Sequence, residues 1–466
     1  MTKSNDDRLP DPGIENAYSQ LNRAFRNGKT RDPGWRKQQL QQLEKLLREN
    51  ESAILEALKA DLGKSETEAW TSEIGYLLAD IKHTLRHLQS WAELRPVSTP
   101  IAAQPGRSYL LPEPLGTVLI IGAWNYPLQL VLAPFIAALA AGNCAVLKPS
   151  EMAPACSALL AELIPQYMDE QAVAVVEGGK EVSQALLALK WDHIFYTGGE
   201  VVGKIVMSAA AQYLTPVTLE LGGKSPCLVD EQSDIAIAAR RIVWGKWMNC
   251  GQTCIAPDYV LVASSVADEL VVALRQEIEN QYGKTPINSI DYGRIVNASH
   301  FQRLSKLLDE MQIVAGGETD ETRLKIAPTI VLNPSYDSDL MQQEIFGPIL
   351  PVLTVEDMAE ACDIVVTRPK PLALYLFTQN DKTEASVLAK TSAGSVCVND
   401  TMMFMANQKL PFGGVGTSGM GRYHGQYGFD TFSHLKSVMH RSTKMDVKVR
   451  YAPYSSWKLW LLKKLL

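Results

Sequence analysis

Two cysteines stand four residues apart in "WMNCGQTCIAPDY", residues 247–259. A thiolate is a strong nucleophile when it sits on a loop with backbone N–H donors nearby. Cys254 has such a setting, directly after Gly251, Gln252 and Thr253. Cys250 falls one helical turn earlier, at the end of the helical run "IAIAARRIVWGKWMN", where a cysteine is more often a small apolar packing residue. Position alone favours Cys254 only mildly.

Two further side chains fit the same chemistry. Glu220, in "LELGGKSP", lies between leucines and is followed by two glycines. Partial burial would raise its pKa and suit it to general-base work. The plainer reading is a carboxylate satisfied by backbone amides. Asn125, in "GAWNYP", has an amide that could donate to an oxyanion, or that could merely shape the turn before Pro127.

Two strand-end loops could hold a nucleotide. "TGGEVVG" contributes Gly198, Gly199 and Gly203, and glycines let backbone N–H groups approach a phosphate at a helix N-terminus. It is not G-x-G-x-x-G, and alone it is equally an ordinary strand-to-helix turn. "LKPSE" offers Lys148 and Glu151 to ribose hydroxyls; alone it reads better as a solvated loop.

These loops need elements to hold them. Residues 1–33, rich in Asp, Asn, Pro and Gly, read as a flexible lead-in. Leu40, Leu43, Leu47, Ile54 and Leu58 give helical spacing over 35–62, and a second helical run covers about 68–93. The Pro-punctuated segment 95–116 contains no helix. Between 117 and 220, β-rich runs such as "TVLIIGAW", "CAVLKP" and "DHIFYTGG" alternate with helical runs. Such alternation implies a parallel sheet with helices on both faces, which binds ligands at the carboxyl ends of its strands. A second α/β unit runs from about 226 to 425. The expected fold is α/β, with two parallel-sheet, Rossmann-like domains facing a cleft.

Composition narrows the rest. The chain has 466 residues, 46% apolar and 21% charged, with a net charge of −6 scattered along its length. That is the profile of a globular protein without a nucleic-acid surface. Seven cysteines without metal-type spacing argue against a disulfide framework or a metal site. The N-terminus has no apolar signal core, and no stretch approaches the ~20 apolar residues that span a bilayer. A reducing, cytoplasmic setting is the expectation.

In order, "NYP", "LKPSE", "YTGG", "LELGGKSP", "GQTCIAPDY", "QEIFGPILPV" and "PFGGVGTSGMGRYHG" resemble the aldehyde dehydrogenase superfamily, in its class 3-like branch. The resemblance covers about residues 35–450. It implies that Cys254 is the nucleophile, giving a thiohemiacetal and then a thioester. Asn125 and the Cys254 N–H would hold the oxyanion, and Glu220 would activate the water that releases a carboxylic acid. Lys148 and Glu151 would meet the adenosine ribose, and Gly198, Gly199 and Gly203 would belong to the loop near the pyrophosphate. Glu344 would hold the nicotinamide ribose and Phe346 would pack beside the ring. NAD is the primary cofactor implied, with NADP as the alternative. Tyr76, Tyr126, Trp244, Phe412 and His424 match positions lining an apolar tunnel. That lining suits medium- or long-chain aliphatic aldehydes, or aromatic ones. An acylating enzyme is a rival, but such relatives usually lack the glutamate base. A non-catalytic binding protein would have lost Cys254, Glu220 or Asn125.

The resemblance also divides the chain. Residues 1–92 and 117–221 would bind NAD(P), and 222–425 would form the catalytic domain. Residues 93–116 and 426–450 would form a β arm that makes a homodimer. The tail 451–466 contains "WKLWLLKKLL", similar to a truncated form of the hydrophobic anchor of fatty-aldehyde members. It could lie peripherally on a membrane, cap the tunnel or pack on the body.

Overall fold

The computed structural model describes residues 12–465. The expected flexible lead-in is corrected over most of its length. Pro12–Arg26 is a helix, and its Leu21 is fully buried in the main core. The first eleven residues lie outside the described range. The expected helix over 35–62 is two helices, Pro33–Glu49 and Glu51–Leu62, parted at Asn50. Asp32 caps the first by accepting the N–H groups of Gly34 and Trp35. Gly63, at φ 66°, closes the second.

The second helical run also breaks. Glu66–Ala69 passes into a π-helical turn, Trp70–Ile74, before Gly75–Ala92 resumes α geometry. Single π turns inside α-helices recur at functional sites. In 95–116 there is one short 3₁₀ turn, Ile101–Ala103, between the strands Arg95–Val97 and Gly106–Pro114.

A six-stranded sheet has the order Gly419–Met420, Val217–Glu220, His193–Thr197, Thr117–Ile121, Cys144–Lys148, Val173–Val175. All its pairs are parallel except the first, where Gly419 lies opposite Glu220. The chain winds outward from Thr117–Ile121 in both directions. A crevice therefore opens at the carboxyl ends of Thr117–Ile121 and His193–Thr197. Those ends run directly into Trp124–Asn125 and Gly198–Gly199.

The seven-stranded sheet has the order Ile313–Ala315, Thr329–Leu332, Ile349–Val355, Tyr259–Ala263, Pro226–Val229, Ala373–Phe377, Ser395–Val398, and is parallel beyond its first pair. The short link from Glu220 to Pro226 joins the carboxyl end of one sheet to the amino end of the other. A third, antiparallel sheet joins Arg95–Val97, Gly106–Pro114 and Ser433–Arg441, with Ser433 opposite Pro114 and Arg441 opposite Gly106.

Helix Gln129–Ala141 is apolar on every side and almost wholly buried, as a core helix must be. Its N-terminus is buried too, so its free N–H groups need an acceptor. Glu73 supplies it: one carboxylate oxygen accepts from Leu128 and Gln129 at 3.1 and 2.8 Å. The other oxygen meets Lys64 at 2.8 Å in a fully buried ion pair. The Lys64 ammonium also stands 4.0 Å from the centre of the Tyr126 ring. The loop carrying Asn125 and Tyr126 is thus braced from the first helices of the chain.

Candidate active site

Two cavities meet at Cys254. The first, of about 200 Å³, is lined by Tyr76, Tyr126, Trp244 and Phe412. Four methionines join them, Met248, Met402, Met403 and Met405, as do Thr71 and Ser72 from the π turn. The second, of about 230 Å³, is lined by Asn125, Gly198, Gly199, Glu220, Glu344 and Phe346, with Trp124, Thr197, His300 and Arg303. Among the described residues, only Cys254 and Leu130 face both.

The turn before Cys254 is unusual. Asn249 and Cys250, at φ 52° and 53°, are both left-handed, and Gly251 follows at 72°. Asn tolerates that region; cysteine rarely visits it. A Cβ on Gly251 would fall 2.2 Å from the Gly347 carbonyl, so the turn must have glycine there. The turn buries Cys250, whose sulfur lies beside Gly293, and Cys250 lines neither cavity. Gln252 then anchors the loop. Its amide nitrogen donates to the carbonyls of Asn249 and Arg294 at 3.1 and 3.0 Å. Its amide oxygen accepts from the Val296 N–H at 3.0 Å.

Asn125 is tied to this loop from both ends. Its side-chain nitrogen donates to the Gln252 carbonyl at 3.0 Å. Its own carbonyl accepts from the Asn249 amide at 2.7 Å. One amide proton of Asn125 remains for another acceptor. Burial, reinforced by the Glu344 and Glu220 carboxylates, pushes the Cys254 thiol up; the N–H groups of Cys254 and Ile255 pull the other way. Burial also holds Glu220 well above the ordinary carboxylate range.

Glu344 folds over Gly222, where a Cβ would fall 2.3 Å from its carboxylate. Burial first, then Asp258, raises the Glu344 carboxyl to about 8. Phe346, at φ 48°, packs edge-on against Trp124 at 5.3 Å. Lys148 and Glu151 line neither cavity and pair with each other at 2.6 Å. Burial opposes ionisation of Glu151, but the Lys148 ammonium prevails and holds its carboxyl below its usual value. Gly203 lines neither cavity; a Cβ there would meet the Leu221 side chain at 2.8 Å, so it serves the packing of helix on strand.

His424 lies outside the lining of both cavities. It stands one layer behind the tunnel wall, stacked on Phe412 at 5.3 Å and bonded to the Tyr76 hydroxyl at 2.7 Å. The sequence reading passed over the methionines, although "TMMFM" at 401–405 is the kind of pliable apolar run that lines adaptable pockets. It also passed over Thr71, Ser72, His300 and Arg303, which carry no local signal.

The second cavity suits a polar ligand. Thr197 Oγ1, both oxygens of Glu220 and Nδ1 of His300 are buried there without a hydrogen-bond partner among the described residues. Buried polar atoms are rarely left so. Nothing lies within 4 Å of where a Gly199 Cβ would stand, and no side chain caps helix Glu200–Ala211 behind it. That N-terminus can receive a phosphate.

The Aldehyde dehydrogenase family model matches residues 10–438. The chain belongs to the aldehyde dehydrogenase family. It is 50% identical over 456 residues to aldehyde dehydrogenase family 3 member H1 of Arabidopsis thaliana, covering 97% of this chain and 94% of that one. It is 48% identical to 4,4'-diaponeurosporen-aldehyde dehydrogenase of Staphylococcus aureus, covering 95% and 96%. A substrate-bound structure of Staphylococcus aureus AldH superposes with a TM-score of 0.95 at 47% identity, over 97% of this chain and 99% of that one. The protein is therefore a nicotinamide-dependent oxidoreductase that oxidises aldehydes.

This aldehyde dehydrogenase leaves no room for a methyl group between Gly222 and Glu344. Gly222→Ala is expected to displace the Glu344 carboxylate and weaken nicotinamide binding about tenfold, with the melting temperature little changed. Fluorescence titration with NAD and NADP measures it, and unaltered affinity would separate Glu344 from the cofactor.

Proposed function

We propose that this enzyme oxidises a lipophilic, medium- or long-chain aliphatic aldehyde to the carboxylic acid. The observation that carries the proposal is the place of Cys254, exposed to an apolar tunnel on one side and a polar cavity on the other. The tunnel delivers the aldehyde carbon to the sulfur. Cys254 adds to it as the thiolate, and the carbonyl oxygen, now an oxyanion, accepts hydrogen bonds from the spare Asn125 N–H and the Cys254 N–H. A preorganised donor pair of this kind stabilises developing charge without reorganisation. The nicotinamide, when bound, supplies the hydride acceptor. Gly198, Gly199 and Glu344 hold the cofactor, Phe346 packs beside it, and Glu220 activates the water that releases the acid.

NAD is the proposed primary cofactor. The Lys148 ammonium is already engaged by Glu151, whose half-exposed carboxylate would repel a 2′-phosphate. A second reading, an aromatic aldehyde, is favoured by the rings of Tyr76, Tyr126 and Phe412 in the wall.

The strand Ser433–Arg441 stands at a sheet edge, which invites pairing with a second subunit. The proposed assembly is a homodimer through this arm. Residues 433–466 contain eight Lys and Arg against one Asp. Within that stretch, Trp457, Leu459 and Trp460 on helix Ser456–Leu465 are each more than half exposed. No described helix is long and apolar enough to cross a membrane. The fitting partner is an anionic bilayer surface, which draws in basic groups and accepts tryptophan at its interface.

Reduced-nicotinamide formation over aldehydes from acetaldehyde to hexadecanal, with benzaldehyde and cinnamaldehyde, tests the substrate. kcat/KM is expected to climb with chain length; turnover of aromatic aldehydes alone would transfer the case to the second reading. Cys254→Ala should lose nearly all activity while Cys250→Ala keeps most, and comparable losses would overturn the assignment.

Because Glu220 is held above the ordinary carboxylate range, its base form appears only as pH rises through that raised value. Turnover should therefore fall toward acid, along a limb lying above ~4.3, the unperturbed value. Glu220→Gln should give one burst of product and a steady state roughly 10²–10⁴-fold slower. Steady-state turnover at the wild-type rate would remove Glu220 from the mechanism.

Deleting residues 452–466 should abolish co-sedimentation with phosphatidylserine vesicles and leave the dimer intact by ultracentrifugation. Undiminished vesicle binding would sink the tail's role, and a monomeric wild type would sink the arm's.

A further inference from the structure

The left-handed turn at 249–251 needs something to hold it, and what holds it comes from far away in the chain. Asn249 donates its backbone N–H to a carboxylate oxygen of Glu68 at 2.9 Å. The two residues are 181 positions apart. Asn249 in turn donates its side-chain amide to the carbonyls of Asn125 and Gln252, at 2.7 and 3.2 Å. The Gln252 carbonyl also receives the Asn125 amide, and Cys254 follows two residues later. One chain of hydrogen bonds therefore runs from Glu68 through Asn249 to the proposed oxyanion donor and the nucleophile loop.

Glu68 reaches the tunnel as well. Its backbone carbonyl accepts the Ser72 hydroxyl at 2.7 Å and the Thr71 hydroxyl at 3.3 Å. Both hydroxyl residues line the apolar cavity on the π turn. A strained backbone persists only where its surroundings over-determine it. Asn249 tolerates φ 52°, but Cys250 at φ 53° has no intrinsic reason to stay there.

We infer that Glu68 is a positioning residue for the nucleophile. Its carboxylate oxygen fixes the left-handed turn at Asn249 and so sets where Asn125 and Cys254 stand. The inference rests on the roles proposed above for those two residues. What Glu68 gives the turn is one acceptor oxygen for the Asn249 N–H; burial pushes its carboxyl up to about 7, against the pull of Lys64.

The test compares Glu68→Ala, Glu68→Asp and Glu68→Gln with wild type and Cys254→Ala. The readouts are the burst rate of reduced nicotinamide with octanal, the rate of Cys254 alkylation by iodoacetamide, NAD affinity and the melting temperature. A misplacement near 1 Å costs about 10²-fold in rate. Ala, and Asp with its oxygen drawn back by one methylene, should therefore slow the burst by about 10- to 100-fold per active site. NAD affinity should stay within about twofold. Gln, which keeps an oxygen at the same reach, should restore the burst to within about threefold of wild type.

If Ala does not fold, the Asp and Gln pair decides alone. A wild-type burst rate in Asp overturns the inference. So does a Gln variant as slow as Asp, which would make the charge or the bulk packing responsible. Activity surviving in Cys254→Ala would overturn the underlying assignment instead, and the two failures are distinct.

Discussion

Lys224 and Asp258 form a nearly buried ion pair on which the geometry of the site depends. Lys224 follows Glu220 by four residues, and Asp258 follows Cys254 by four. The ammonium also donates to the carbonyls of Leu340 and Gln343, each at 2.9 Å. The other carboxylate oxygen accepts from the Ile345 N–H at 3.0 Å. Glu344 is thereby gripped on both sides. Three loops, each carrying one carboxylate or thiol of the site, converge on a single pair. Taking two charges out of water is costly, and the cost is offset only when the remaining donors and acceptors are satisfied. Here they are, and what they satisfy is backbone from the loop that carries Glu344.

The convergence explains why the site sits between two sheets rather than on one. The six-stranded sheet presents its carboxyl ends, with Asn125, Gly198 and Glu220. The seven-stranded sheet presents loops that enter at its amino ends, with Cys254 before Tyr259 and Glu344 before Ile349. Neither sheet alone encloses a cavity that is apolar on one side and polar on the other.

Much of this was legible in the sequence because it is written in local periodicity. The alternation from 117 to 220 appears strand for strand in the parallel sheet, since buried strands and amphipathic helices each advertise their own period. The two-residue strand Gly419–Met420 was not legible, because its antiparallel pairing with Leu219 and Glu220 depends on tertiary placement. Nor was the acceptor role of Glu73, which lies 55 residues from the helix it caps. The break at Asn50 and the π turn at Trp70–Ile74 escaped for the same reason: both are accommodations to packing. In the site, residues on motif loops could be picked by chemistry. His300, Arg303 and Ser72 reach the cavities only through the fold.

The pair of cysteines shows where residue type ends and geometry begins. Both thiols are pushed up by burial, so their electrostatics do not distinguish them. The backbone does. Three consecutive left-handed residues reverse the chain between the helix Ile235–Trp247 and the loop. That reversal turns Cys250 into the core beside Gly293, while Gln252 holds the following residues so that Cys254 faces both cavities. The strain at Cys250 is the physical cost of presenting Cys254, and it is held in place by hydrogen bonds that Asn249 donates to Glu68 and Asn125 and accepts from Gln252 rather than by any preference of the turn's own residues.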